Sequence, residues 1–131
     1  MQTITPYLLY EDAGAALDFL SRAFGFEETM RSAMPDGRVA HAEMRLGDGV
    51  LFLGAPDGGY RGPRSLGANT CCVYAYVDDV DAHCEHARGA GAEVVDEPAD
   101  ENYGDRRYHA RDPEGHDWYF AHPLAKEAGD A

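Results

Sequence analysis

The sequence predicts an α+β fold: two β-α-β-β-β modules whose curved mixed sheets surround a cleft. Three observations carry this expectation. Polar and bulky residues alternate over several short stretches, as half-buried strands require. Two other stretches repeat apolar residues at helical spacing. The whole order of elements then occurs twice within 131 residues, a length that suits two small halves sharing one core.

The first half opens with a strand over 3–10, where Pro6 points to an edge or a bulge. Asp12 is a good N-cap for the helix that follows. Ala16, Leu17, Leu20 and Phe24 recur on one face, and Gly25 supplies the stop. Strands follow near 26–34, 38–46 and 49–54, separated by Pro35-Asp36-Gly37 and Gly47-Asp48-Gly49. Residues 55–69 hold four glycines and two prolines and read as an exposed connector, long enough to serve as a lid.

The order then restarts. A strand over 70–77 precedes a helix near 79–89 with Val80, Cys84 and Ala87 on one face and Gly91 at its end. A strand near 92–96 leads to the strongest local signal in the chain, a hairpin over Tyr103–Phe120. Its turn, Asp112-Pro113-Glu114-Gly115, has turn chemistry in every slot: a carboxylate that can bond its own backbone, a preset φ, and a residue that accepts positive φ. An offset of 66 superposes the halves, laying Asp12 on Asp78, Gly25 on Gly91, Glu27 on Glu93, Gly49 on Gly115, Phe52 on Trp118 and Leu53 on Tyr119. The organisation is therefore a first module over 1–54, a connector over 55–69, a second module over 70–123 and a frayed tail over 124–131.

Composition narrows the function. The net charge of −13, from 24 acidic and 11 basic residues, excludes nucleic acid as the main partner. No apolar run is long enough to span a membrane, and the first residues lack the pattern of a secretory signal. Three cysteines, Cys71, Cys72 and Cys84, make no disulfide framework and fit a reducing cytoplasm.

Period-two alternation assigns the sheet faces. Ala42 and Met44, Val73 and Ala75, and Trp118 and Phe120 go under the helices. The opposite faces then hold Tyr7, His41, Glu43, Cys72, Tyr74, Tyr76, Arg107, His109 and Tyr119. Aromatic walls with a few polar groups suit a small-molecule pocket.

The paired modules, the opening Ile4-Thr-Pro-Tyr-Leu8, the helix exit Phe24-Gly-Phe26 and the run Asp112-Pro-Glu-Gly-His-Asp-Trp118 resemble the vicinal oxygen chelate superfamily. Within it the resemblance is to the glyoxalase and bleomycin resistance branch, including PhnB-like proteins, and it covers roughly residues 3–123. It implies homodimers with clefts shared between subunits. It also implies that metal-dependent members bind one divalent ion through His, Glu or Gln from both halves. Carried over by position, those places are Thr5, Leu53, Cys71 or Cys72, and Tyr119. None is an imidazole or carboxylate, so no metal and no other cofactor is expected.

The leading expectation is metal-independent sequestration of a small aromatic or cationic molecule, with the tyrosines stacking on it and Glu43 and Asp117 attracting positive charge. The second is a lyase- or isomerase-like enzyme in which His41, Glu43 or His109 moves a proton, with or without a divalent metal. His83 and His86 read as surface histidines, His116 and His122 have no assigned role, and Asp105-Arg106 reads as a loop ion pair.

Overall fold

A computed structural model describes residues 1–125. The tail expected over 124–131 thus lies, from 126 on, outside the described residues. The elements, in order, are β1 (Tyr7–Leu9), α1 (Ala13–Phe24), β2 (Glu27–Ala33), β3 (Val39–Leu46), β4 (Gly49–Gly54), α2 (Pro63–Leu66), β5 (Cys72–Tyr76), α3 (Val80–Gly89), β6 (Glu93–Asp100), β7 (Asp105–Arg111) and β8 (Asp117–Pro123). They form two four-stranded mixed sheets, ordered β1-β4-β3-β2 and β5-β8-β7-β6. Each has one parallel pair, β1 with β4 and β5 with β8. No described helix is long and apolar enough to cross a membrane.

Asp12 caps α1 by accepting from the Ala15 N–H at 3.0 Å, and Asp79 caps α3 by accepting from Ala82 at 3.2 Å. His122 Nδ1 accepts a further N–H of α3, from Val80, at 2.9 Å. In the second hairpin, Asp112 Oδ1 accepts from the N–H groups of Glu114 and His116 at 3.0 and 3.1 Å. Gly115 takes φ 90°, as the turn requires.

The internal repeat is real, but its offset is not uniform. Pairing of Tyr7 with Phe52 matches pairing of Tyr74 with Tyr119, an offset of 67. Ala42 with Leu53 matches Tyr108 with Phe120, so the third strand keeps 66 while the fourth moves to 67. The second hairpin is one residue longer, and α1, with 12 residues, is two longer than α3, with 10. Phe52 therefore answers to Tyr119, not Trp118, and the cap Asp12 answers to Asp79, not Asp78.

The modules join on their helix sides. Phe24, at the end of α1, packs its ring 5.4 Å from Trp118 and 4.7 Å from Phe120 of the other module. The helix ends cap each other: His83 Nε2 donates to the Phe24 carbonyl at 2.9 Å, His86 Nε2 to the Arg22 carbonyl at 2.7 Å, and Arg22 to the Ala90 carbonyl. His83 and His86 are thus interface groups rather than free surface histidines. A second seam runs through the hairpin turn. Asp112, 2% exposed, accepts from Tyr10 Oη at 2.7 Å and Trp118 Nε1 at 3.1 Å. Glu114 accepts from the N–H groups of Glu11 and Asp12 at 2.6 and 2.9 Å, and His116 donates to the Leu9 carbonyl at 2.8 Å.

Because the helix sides face each other, the two open sheet faces do not close around a cleft within one chain. Every strand ladder among the described residues lies within one module.

Candidate functional site

The predicted site residues fall into two groups, one on each open face. On the first, Tyr7 from β1 and His41 and Glu43 from β3 form a hydrogen-bonded line. Tyr7 Oη lies 2.7 Å from His41 Nδ1, and His41 Nε2 lies 3.0 Å from Glu43. With Glu43 ionised, Nε2 carries the proton and Nδ1 accepts from the phenol. Phe52, which the uniform offset of 66 lays on the helix-facing Trp118, completes this group on the open face. Its ring meets Tyr7 edge-on at 5.9 Å and His41 at 5.2 Å.

The second face is more extensive. Tyr119 is the centre: His109 stacks on it at 4.4 Å, Tyr74 at 6.2 Å, and the Arg107 guanidinium lies 4.8 Å from its centroid. His109 is only 6% exposed because Tyr119 covers its ring while Asp117 holds Nε2 at 2.7 Å and Asp96 lies 3.4 Å from Nδ1. At the other end Asp105, itself buried, accepts from Tyr74 and Tyr76 at 2.7 and 2.8 Å. Asp105 therefore anchors two phenols, and its expected pairing with Arg106 is replaced: Arg106 bonds Asp81 and Asp100 instead. The sequence reasoning also missed Tyr103, whose hydroxyl accepts from Arg107 Nε at 2.8 Å.

These contacts fix the protonation states. Burial, then bonds to Tyr103 and to the Asp105 carboxylate, push the Tyr74 phenol well above its ordinary value, while the bond to Asp105 does most to raise Tyr76. Burial pushes the Asp117 carboxyl up, but bonds from His109, Arg111 and Asn69 outweigh it and hold the group ionised below the usual range. The two carboxylates expected to attract a cation are thus already engaged, Glu43 by His41 and Asp117 by three donors.

The metal positions can be tested on the donor set. Leu53, one of the positions carried over, is fully buried on the helix side. The paired open-face positions of the outer and inner strands hold Tyr7 with Phe52 and Tyr74 with Tyr119, and two register steps along stand Cys72 and the engaged Asp117. Phenols, a phenyl ring and one thiol do not fit a divalent ion that needs three or more imidazole or carboxylate ligands. Among the described residues, ligating atoms of Cys84, Glu85 and Glu97 do lie within 4.8 Å of one another. There Arg88 bonds both carboxylates and Cys84 is buried, which makes the group an ion-pair cluster.

The connector is anchored rather than free to close as a lid. It contains the helical turn α2, which the sequence reasoning did not predict. Ser65 Oγ and the Gly62 N–H donate to Glu11 at 2.6 and 2.8 Å, Tyr60 Oη donates to the Leu9 carbonyl at 3.1 Å, and the Arg64 N–H donates to the Glu114 carbonyl at 2.9 Å.

A family model described as the Glyoxalase/Bleomycin resistance protein/Dioxygenase superfamily matches residues 3–120. An uncharacterized protein of Mycobacterium bovis is 36% identical over 126 residues, covering 92% of this chain and 83% of that protein. The crystal structure of TioX from Micromonospora sp. ML1 superposes with a TM-score of 0.76 at 33% identity, covering 95% of this chain and 100% of TioX. A glyoxalase/bleomycin resistance protein/dioxygenase from Nocardioides, at 22% identity and TM-score 0.63, covers 100% of this chain and 90% of its own, and shares the fold.

Proposed function

Since the chain belongs to the glyoxalase/bleomycin resistance protein/dioxygenase superfamily, we propose that it binds a small aromatic molecule without a metal and holds it by affinity alone. The observation that carries this reading is the Tyr119 cluster. It presents an aromatic platform on which His109, Tyr74 and Arg107 are already fixed by internal bonds. A platform ordered before the ligand arrives loses little side-chain entropy on binding.

The reading includes a homodimer. Tyr7, Tyr74 and Tyr76 are 48%, 39% and 58% exposed in a single chain, the first on one sheet and the other two on the second. A second copy that lays its first-module face opposite the second-module face of its partner gives the ligand walls from both. Equilibrium sedimentation with and without ligand tests this, and a monomer that binds as tightly as any larger species overturns it.

Calorimetric titration with neutral polycyclic aromatics tests the binding itself. Saturable binding that survives exhaustive chelation and drops in Tyr74→Ala supports the reading. Binding that disappears on chelation and returns with a divalent ion defeats it.

The Tyr7–His41–Glu43 line favours a second reading, proton transfer by an enzyme of lyase or isomerase type. Glu43 orients the imidazole and His41 can draw the phenol proton, the arrangement that general acid–base catalysis uses. Turnover of any bound compound that is lost in His41→Gln while its binding persists would establish that reading.

A further inference from the structure

A polar cavity of about 350 Å³ lies where the open face of the second module meets the connector, lined by Arg64, Asn69, Arg111 and Asp117 among others. Arg111 and Asp117 also belong to the open face, two register pairs from His109 and Tyr119. We propose that this cavity is an oxyanion site, taking the carboxylate or phosphate group of a ligand through Arg64 and Arg111. The proposal deepens the binding reading and rests on it for the aromatic body of the ligand, though not for the anion.

Four features carry it. Both guanidiniums are held by one firm bond each, so their positions are set: Arg64 Nε donates to the Pro113 carbonyl at 2.8 Å, and Arg111 Nε donates to Asp117 at 2.9 Å. Their outer nitrogens share a single carboxylate at longer range. Glu93 lies 3.4 Å from Arg64 Nη2 and 3.5 Å from Arg111 Nη1, with half its side chain in solvent. Glu93 stands outside the cavity lining and engages one outer nitrogen of each arginine loosely enough to give way to an external oxyanion. The connector crosses the hairpin turn so closely at Gly115 that an added Cβ would stand 2.9 Å from the Arg64 nitrogen, which seats the Arg64 backbone against the turn beside Arg111. Finally, Asp117 on the cavity wall is already bonded by His109, Arg111 and Asn69, so release of Glu93 leaves the outer nitrogens of Arg64 and Arg111 as the groups free to take an anion. A chain of net charge −13 repels anions at long range. Any anion it holds must be held by such local, forked contacts.

Inorganic phosphate and benzoate, titrated separately into the full chain by calorimetry, test the site. Saturable binding of at least one is expected, and the tighter of the two identifies the head group. Arg64→Gln and Arg111→Gln should each weaken it about tenfold. Arg64→Lys keeps the charge but loses the fork, and should also weaken it. Glu93→Gln should tighten binding several-fold, which no loss of folding would mimic. Absence of saturable binding, indifference to both arginine substitutions, or no gain in Glu93→Gln overturns the proposal. Benzyl alcohol separates it from the broader reading. If benzyl alcohol binds at Tyr119 while neither anion binds, only the oxyanion site fails. If phosphate binds and no aromatic compound does, only the aromatic reading fails.

Discussion

The two modules follow one plan but spend it differently. On the helix side the four equivalent positions are Ala42, Met44, Leu51 and Leu53 in the first and Tyr108, Ala110, Trp118 and Phe120 in the second, all buried. The bulk lies in the second because Phe24 and Phe26 of the first module reach across to it. On the open side the equivalent residues are Tyr7, His41, Glu43 and Phe52 against Tyr74, Arg107, His109 and Tyr119. The first set is a short hydrogen-bonded line and the second a stacked platform backed by charge. The comparison teaches that burial dictates size class and alternation on one face, while the other is free to carry chemistry.

The largest test of this asymmetry is Phe24→Ala. Phe24 touches Phe19, Trp118, Phe120 and His83, and its loss should cost about 3–5 kcal/mol in urea unfolding. If Leu51→Ala, at the position equivalent to Trp118, costs as much or more, the core is not centred on the second module.

The hairpin turns offer the next contrast. Asp112→Ala removes the acceptor for Tyr10, Trp118 and two backbone N–H groups, and should cost about 2–4 kcal/mol. Asp48 in the corresponding turn of the first module is exposed, and Asp48→Ala should stay within about 0.5 kcal/mol. Equal costs would mean that the second turn is no more a structural joint than the first.

The open faces should differ by less. Tyr119→Ala should weaken an aromatic ligand about fivefold, since it removes the ring on which His109 and Tyr74 stack and Arg107 rests. Phe52→Ala, which removes only an edge contact with Tyr7 and His41, should weaken it less. A reversal in side-by-side titrations would move the binding centre to the first module.

Much of this was legible in the sequence, and the misses share a physical cause. Strand alternation assigned the helix-facing set Ala42, Met44, Trp118 and Phe120 and the opposite set His41, Arg107, His109 and Tyr119, because a period of two needs only local information. The repeat was visible too, but a uniform offset put Phe52 and Leu53 on the wrong faces, since one extra residue in the second hairpin flips every later side chain. What periodicity could not show was how the modules face each other. Helix-to-helix docking separates Tyr7, His41 and Glu43 from Tyr74 and Tyr119, and turns His83 and His86 from surface groups into caps. The clue available was the richness of α3 in groups able to bond carbonyls, opposite a helix end rich in unsatisfied ones.

The smallest effect is a pH dependence that belongs to the second module, because α1 carries no histidine. In the folded chain His83 is neutral: Nδ1 accepts from Tyr108 Oη at 2.6 Å and Nε2 donates to the Phe24 carbonyl. Burial lowers its pKa below the ordinary imidazole value of about 6.5, the bond to Phe24 opposing only in part. Between the folded value and about 6.5, the unfolded chain therefore binds a proton that the native chain does not, so stability rises with pH across that window. The contribution is complete above about 6.5 and is lost as the solution is acidified through the folded value. The carboxyls held down by hydrogen bonds, Asp81 and Asp117 among them, act with the same sign but only at lower pH, below their ordinary values. Urea midpoints between pH 5 and 7 should fall with acidification in the wild type and flatten in His83→Gln. An undiminished slope in that variant would mean that proton uptake lies elsewhere, and that the joint between the two helices is insensitive to pH.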